Sequence, residues 1–222
     1  MNGFLNGKLN KAIQKDVFKQ ISEYIIFGCE NVRESHERTG VLLANDENTI
    51  RSVLLNEFLD ADDVRSKFGM QNFLFEPESS ENYDPISCKY VGRTDIKVLL
   101  QPDSFKKRTA YFIIECKRID GQRVLNDKYI DEGVNRFVTK KYSSFYGKNI
   151  MLAFVVKDIN IKSNTIKIEQ FQNRSEDVRI HGKFELVHEK NNMIGEYTCT
   201  YCLTDENIDL THIFFNFSNV IK

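Results

Sequence analysis

Asp95, Glu115 and Lys117 are the residues whose types and spacing admit chemistry. They fall in the stretch VGRTDIKVLLQPDSFKKRTAYFIIECKRID, residues 91–120, where two apolar runs flank a polar loop around Pro102. Enrichment in Val, Ile, Leu, Tyr and Phe predicts two strands joined by a loop of hairpin size. Burying a carboxylate among such residues costs several kcal/mol unless a cation, hydrogen bonds or a metal compensates, so three ionisable groups there need a shared purpose. Strand alternation puts Glu115 and Lys117 on one face and Cys116 on the other. If the strands pair antiparallel with Asp95 turned to the same face, two carboxylates and an ammonium converge. Such oxygen ligands suit Mg²⁺ or Mn²⁺. A metal there would polarise a phosphate and lower the pKa of an attacking water, and Lys117 would orient that water or stabilise developing negative charge.

Asp95 followed by Glu115-Cys116-Lys117 resembles the D…(D/E)xK signature of the PD-(D/E)XK nuclease superfamily, the restriction-endonuclease-like fold. The resemblance covers roughly residues 45–156. It implies that Asp95 and Glu115 bind the metal, that Cys116 adds its main-chain carbonyl, and that Lys117 assists the nucleophile. The proline that names the motif is missing, since Arg93-Thr94 precede Asp95. An ExK triplet by itself is also the pattern of a solvated edge strand or a structural ion pair. The fold implied is α/β, a restriction-endonuclease-like mixed central sheet flanked by helices. The activity implied is Mg²⁺-dependent hydrolysis of phosphodiester bonds in DNA, endonucleolytic or exonucleolytic, leaving a 5′-phosphate and a 3′-hydroxyl. A catalytically inactive nucleic-acid-binding or protein-interaction module on the same fold is the alternative.

The flanking elements must position these groups. Asn45 or Asp46 can cap a helix whose inward stripe is Ile50, Val53, Leu54 and Phe58. Glu57 falls on that apolar side. Because superfamily members often complete the metal shell from a helix before the first core strand, Glu57 is the expected third carboxylate, with Glu47 in reserve. NFLFEPES, residues 72–79, reads as the first strand. After Lys117, residues 126–142 form a helix with Tyr129, Ile130, Gly133, Val134, Phe137, Val138 and Lys141 inward. Gly133 costs about 1 kcal/mol of helix propensity, which signals close approach of another element. Tyr129, Glu132, Arg136 and Lys140 recur at three- and four-residue spacing. Because superfamily members often place polar or basic residues on the helix after the ExK strand, Arg136 and Tyr129 are expected to contact nucleic acid, joined by Lys107 and Arg118, while Gln122 sits in the preceding loop. A buried strand at 150–159 should then lie parallel to the Glu115 strand through a βαβ crossover.

The 222 residues suit a single nuclease-like domain of residues 1–222. An N-terminal helix over 9–37, with a stripe of Leu9, Ile13, Val17, Ile21, Tyr24, Ile25 and Gly28, would pack on the domain or make a homodimer or subunit contact. No apolar stretch reaches the length of a membrane span and no signal-peptide pattern opens the chain, so a cytoplasmic protein without membrane contact is expected. Five scattered cysteines form no disulfide framework, and Cys199 and Cys202 make a lone CxxC on an apolar strand, facing opposite ways. A balance of 31 basic against 32 acidic residues argues against a protein devoted to coating polyanions. The charge is uneven, however. Residues 25–85 carry 13 acidic and 5 basic side chains, whereas 101–128 carry 7 basic and 4 acidic, which places cations beside the expected site. Restriction, repair and defence roles are all compatible with this pattern.

Overall fold

The computed structural model describes residues 7–101, 110–142, 145–204 and 206–222. Helix α1 spans Gly7–Thr39. Helix α2, Glu47–Leu54, runs on into a π-helical stretch, Leu55–Leu59, and α3 follows at Asp62–Lys67. Strands β1 (Phe73–Pro77), β2 (Ser80–Asp84), β3 (Lys89–Arg93), β4 (Ile96–Leu100) and β5 (Tyr111–Ile119) come next. Helix α4 begins as Arg123–Lys128, widens through the π-helical Tyr129–Val134, and closes as Asn135–Val138. Then come β6 (Lys148–Val155), α5 (Ile161–Gln172), β7 (Glu185–Lys190), β8 (Ile194–Cys202) and β9 (Asn207–Asn216).

Seven strands form one mixed sheet in the order β1-β4-β5-β6-β9-β8-β7, and β2 and β3 make a separate hairpin. β4 and β5 are antiparallel, with Ile96 opposite Ile114, while β5, β6 and β9 run parallel. The expected hairpin and the expected βαβ crossover are both present. β5 and β6 are buried on both faces, β6 throughout Asn149–Val155, because helices cover each side, whereas Lys97 and Leu99 of β4 are half-buried. On one face α1 and α2 bury Ile21, Tyr24, Ile25, Ile50 and Leu54 against Phe112, Ile114, Leu152 and Phe215. On the other, α4 and α5 bury Tyr129, Ile130, Phe137 and Ile168 against Ile113, Met151, Val155 and Phe214. The stripe on α1 therefore packs on its own domain; the side chains of Leu9 and Ile13 lie outside the described residues. The stretch 161–172 is a helix, and its N-cap Asn160 accepts from Ser163 N at 2.7 Å. Cys199 is buried and Cys202 exposed, both free thiols. Among the described residues, no helix is long and apolar enough to cross a membrane.

The single strand expected over residues 91–100 is broken. Lys89–Arg93 turns away to pair with β2, and only Ile96–Leu100 joins the sheet. Between them, Thr94 N donates to Ser79 O at 3.0 Å and Glu78 N to Asp95 O at 2.9 Å, so Asp95 sits at the corner where the chain re-enters the sheet.

A candidate active site at the open edge of β5

The site follows from a difference in strand length. β4 pairing ends at Ile96 opposite Ile114, whereas β5 continues to Ile119. Among the described residues, the edge of β5 facing β4 has no strand partner from Glu115 onward, and its N–H groups must be satisfied otherwise. Two carboxylates do this. Asp95 Oδ2 accepts from Cys116 N at 2.7 Å, and Glu47 Oε2 accepts from Arg118 N at 3.2 Å. Glu47 is the first residue of α2, whose N-cap Asp46 accepts from Thr49 N at 2.9 Å and fixes where the helix starts.

Glu115 and Lys117 share the face under α4, as strand alternation requires, while Cys116 is buried in the opposite core. Glu115 has no exposed surface. Its Oε1 lies 2.9 Å from Lys117 Nζ and 3.0 Å from Arg136 Nη1, yet it makes no hydrogen bond of good geometry. The Tyr142 hydroxyl lies 2.6 Å from Glu115 Oε2 and 2.6 Å from Arg93 O, so its one proton serves either, while it accepts from Arg136 at 2.6 Å. Lys117 Nζ donates to Cys116 O at 2.8 Å and to Glu47 Oε1 at 3.1 Å. Gly133 makes room for Met151: a Cβ there would stand 2.5 Å from Met151 Cε and in ordinary contact, at 3.5 Å, with Lys117 Cγ. The close approach expected from Gly133 is thus to β5 and β6.

Burial, reinforced by the charge of Asp95, pushes Glu115 up to about 7 although Lys117, Arg136 and Tyr142 pull it down. Burial alone would lower the pKa of Lys117. The carboxylates of Glu115, Glu47 and Asp95 outweigh it and hold the ammonium charged. Lys117 is therefore a proton donor in hydrogen bonds and a source of positive charge, rather than a base, at neutral pH.

The cluster opens onto a cleft of about 640 Å³ bounded by α2, the β2–β3 hairpin and the end of α4. Arg51, Arg93, Lys117, Arg136 and Lys141 line it, against Glu47, Glu78 and Asp95. Five cations against three carboxylates favour an anionic occupant. Arg51 is buried, pairing with Asp95 Oδ1 and with Glu78, and Arg93 pairs with Glu78 from the other side.

The structure brings together Asp95, Glu115, the Cys116 carbonyl, Lys117 and Arg136. It does not bring Glu57, which is exposed. The π-helical stretch, closed by Asp60 N to Leu55 O at 2.9 Å, inserts a residue into the helical phase. Leu55 and Leu59 turn inward and Glu57 outward, and Tyr24 OH binds Phe58 O at 2.9 Å where the turn widens. Glu47, the reserve, stands in the site instead. Tyr129 is also misplaced by the sequence. The π-helical stretch lies between it and Arg136, so the two no longer share a face. Tyr129 is wholly buried with its hydroxyl 2.8 Å from His212 Nδ1. Arg118 turns back to Asn45 Oδ1 at 2.8 Å and does not line the cleft, and Gln122 is exposed at the start of α4. Lys141, expected inward, is exposed past the helix end, and Lys107 lies outside the described residues.

Arg51, Arg93 and Tyr142 are partners that sequence reasoning missed. A cation next to Ile50 in an apolar stripe, four residues after Glu47, was the available signal for Arg51. Tyr142, four residues after Val138 at the end of the helix expected over 126–142, read as one more core position; the helix ends at Val138 and leaves Tyr142 beyond it.

Among the described residues, no group of three or more His, Cys, Asp or Glu side chains is arranged to hold a metal ion. The donors that do converge are two carboxylates, Asp95 and Glu115, with Glu47 beyond Lys117 and the Cys116 carbonyl alongside. They are hard oxygen donors, and Mg²⁺ needs only one or two carboxylates because it retains water. Glu115 Oε1 is a buried acceptor with no hydrogen bond of good geometry, and the cations of Lys117 and Arg136 stand 2.9 and 3.0 Å from it. The donor set fits in type, with Asp95 Oδ1 shared with Arg51. No family model matches the chain, and neither does any curated protein or solved structure.

Proposed function

We propose that the protein is a Mg²⁺- or Mn²⁺-dependent nuclease that hydrolyses phosphodiester bonds in DNA, with a restriction-endonuclease-like core. The observation that carries this reading is the meeting of Asp95, Glu115, the Cys116 carbonyl and Lys117 at the unpaired edge of β5, open to a cation-lined cleft. Asp95, Glu115 and the Cys116 carbonyl would hold the ion, which supplies charge neutralisation at the phosphate and a lowered water pKa. Lys117, kept protonated by its carboxylate neighbours, stabilises negative charge that builds on the phosphate oxygens. Arg136, anchored by Glu115 and Tyr142, places a second cation along the backbone path. Water oxygen bonds to phosphorus, giving up one proton to solvent, as the bond to the 3′ oxygen breaks. That oxygen takes up a proton from solvent, and the products are a 5′-phosphate and a 3′-hydroxyl.

A second reading has its own observation. Both oxygens of Asp95 already have partners, Arg51 and Cys116 N–H, so the cluster also works as a charge-balanced cap on the strand edge. On that reading the cleft binds nucleic acid without cutting it. Incubation of circular and linear DNA, single- and double-stranded, with Mg²⁺, Mn²⁺ or EDTA separates the two. The nuclease cuts only with metal, and Lys117→Ala abolishes cutting. No cutting, together with no calorimetric Mn²⁺ binding that depends on Asp95, removes the nuclease and leaves the binding module.

A further inference from the structure

The β2–β3 hairpin stands apart from the main sheet at the lip of the cleft. An isolated two-stranded ribbon is marginally stable, yet this one is fastened at its base. Asn82, at φ 50°, donates from Nδ2 to Lys140 O at 3.0 Å and Lys141 O at 2.9 Å. Gly92 lies so close to the same turn that a Cβ would sit 2.8 Å from Lys141 O. Beyond that base the ribbon exposes Tyr83, Ile86, Tyr90 and Val91, a concentration of large apolar side chains within nine residues. Tyr83 and Tyr90 are cross-strand partners with ring centroids 5.4 Å apart, and Tyr90 and Val91 line the cleft.

Resting on the nucleic-acid reading, we propose that Tyr90, backed by Tyr83, is a base-stacking platform, and that the preferred substrate is single-stranded DNA or an unpaired end. The cations of the cleft would take the backbone while the ring of Tyr90, a residue 57% exposed at the lip, takes a base. Aromatic faces are available to bases only when those bases are unstacked. A ribbon entering a duplex groove would instead run between two rows of phosphates and need cations along its flanks. Residues 80–93 carry Glu81 and Asp84 against Lys89 and Arg93, a net charge of zero. That neutrality suits a stacking surface.

The test is fluorescence anisotropy in EDTA with a labelled 12-nucleotide strand and with the same strand in a duplex. The wild-type protein should bind the single strand at least tenfold tighter than the duplex. Tyr90→Ala should weaken single-strand binding by about tenfold and leave duplex binding unchanged, and Tyr90→Phe should restore it, since stacking needs the ring alone. Duplex preference, or Tyr90→Ala and Tyr83→Ala both matching wild type, overturns the proposal. Tyr90-dependent binding without any metal-dependent cleavage supports the platform while the nuclease reading falls. Lys117-dependent cleavage indifferent to Tyr90 does the reverse.

Discussion

Glu115 and His212 occupy one row on one face of the sheet, separated only by Met151, and α4 covers them both. Each is wholly buried and each can ionise. They are handled in opposite ways. Around His212 the partners are neutral: the hydroxyls of Tyr129 at 2.8 Å and Tyr201 at 3.3 Å, with the ring of Phe184 against it. Burial pushes the imidazole down to about 3, so it is uncharged at neutral pH. Around Glu115 stand Lys117 and Arg136, and a cleft opens beside them. The cause lies in the neighbouring strand. β8 pairs past His212, with Tyr197 opposite it, and seals that end of the row, whereas β4 stops at Ile96 and leaves β5 open. Buried polarity marks a structural network where the sheet is complete, and a candidate reactive one where a strand ends early.

The largest contrast between the two clusters should be catalytic. Lys117→Ala is expected to reduce Mn²⁺-dependent DNA cleavage by about a thousandfold, and His212→Gln to change it by less than about threefold, measured as initial rates on a plasmid. Comparable losses in both variants would mean that the row acts as one unit. Next in size is the ion network itself. Arg51→Met leaves the buried Asp95 carboxylate without its cation and should destabilise the metal-free protein by about 3 kcal/mol in urea unfolding. Millimolar Mn²⁺ should recover more of the loss in this variant than it adds to wild type. Equal Mn²⁺ stabilisation of both would separate Arg51 from the ion's site.

The neutral cluster gives a pH signature of similar size. Unfolded His212 takes up a proton near pH 6.5, whereas the folded residue refuses it until about pH 3. The unfolded state therefore binds more protons across that window, and His212's contribution falls as pH drops below 6.5. The loss is about 3 kcal/mol by pH 4, from 1.36 kcal/mol per pH unit. Urea midpoints between pH 6.5 and 4 should show this dependence in wild type, and His212→Gln should flatten it. The smallest effects distinguish two glutamates of α2 and its extension. Glu47→Ala should slow cleavage by about 10- to 100-fold through the loss of a partner that orients Lys117. Glu57→Ala should leave cleavage unchanged within about twofold.

Much of the site was legible because its signal is local. Asp95, Glu115 and Lys117 stood out as charges inside apolar strands, and the period of two put Glu115 and Lys117 on one face whatever the fold. The α/β layering followed from the apolar strand expected at 150–159, which ends at Val155 in the structure, and the helix before it. Arg136 was readable as a cation on the helix after the ExK strand. Two of the errors were errors of phase. Glu57 and Tyr129 were placed by counting at 3.6 residues per turn, and each lies in a π-helical stretch that changes the count. Nothing in LNEFL or YIDEGV announces the wider turn, because a π-helical turn is stabilised by what packs beside it, such as Tyr24 OH on the carbonyls of Phe58 and Leu59.

The sequence by itself therefore determined which side chains had to be compensated, since the cost of burying Asp95, Glu115 and Lys117 is intrinsic to their apolar surroundings. Only the tertiary structure decided who compensates them. Arg51, Glu47 and Tyr142 reach the cluster from elements 27 to 70 residues away in sequence, through a gap that exists because β4 is shorter than β5. Strand ends and helix phase are settled by packing between elements, and no local pattern in the chain encodes them.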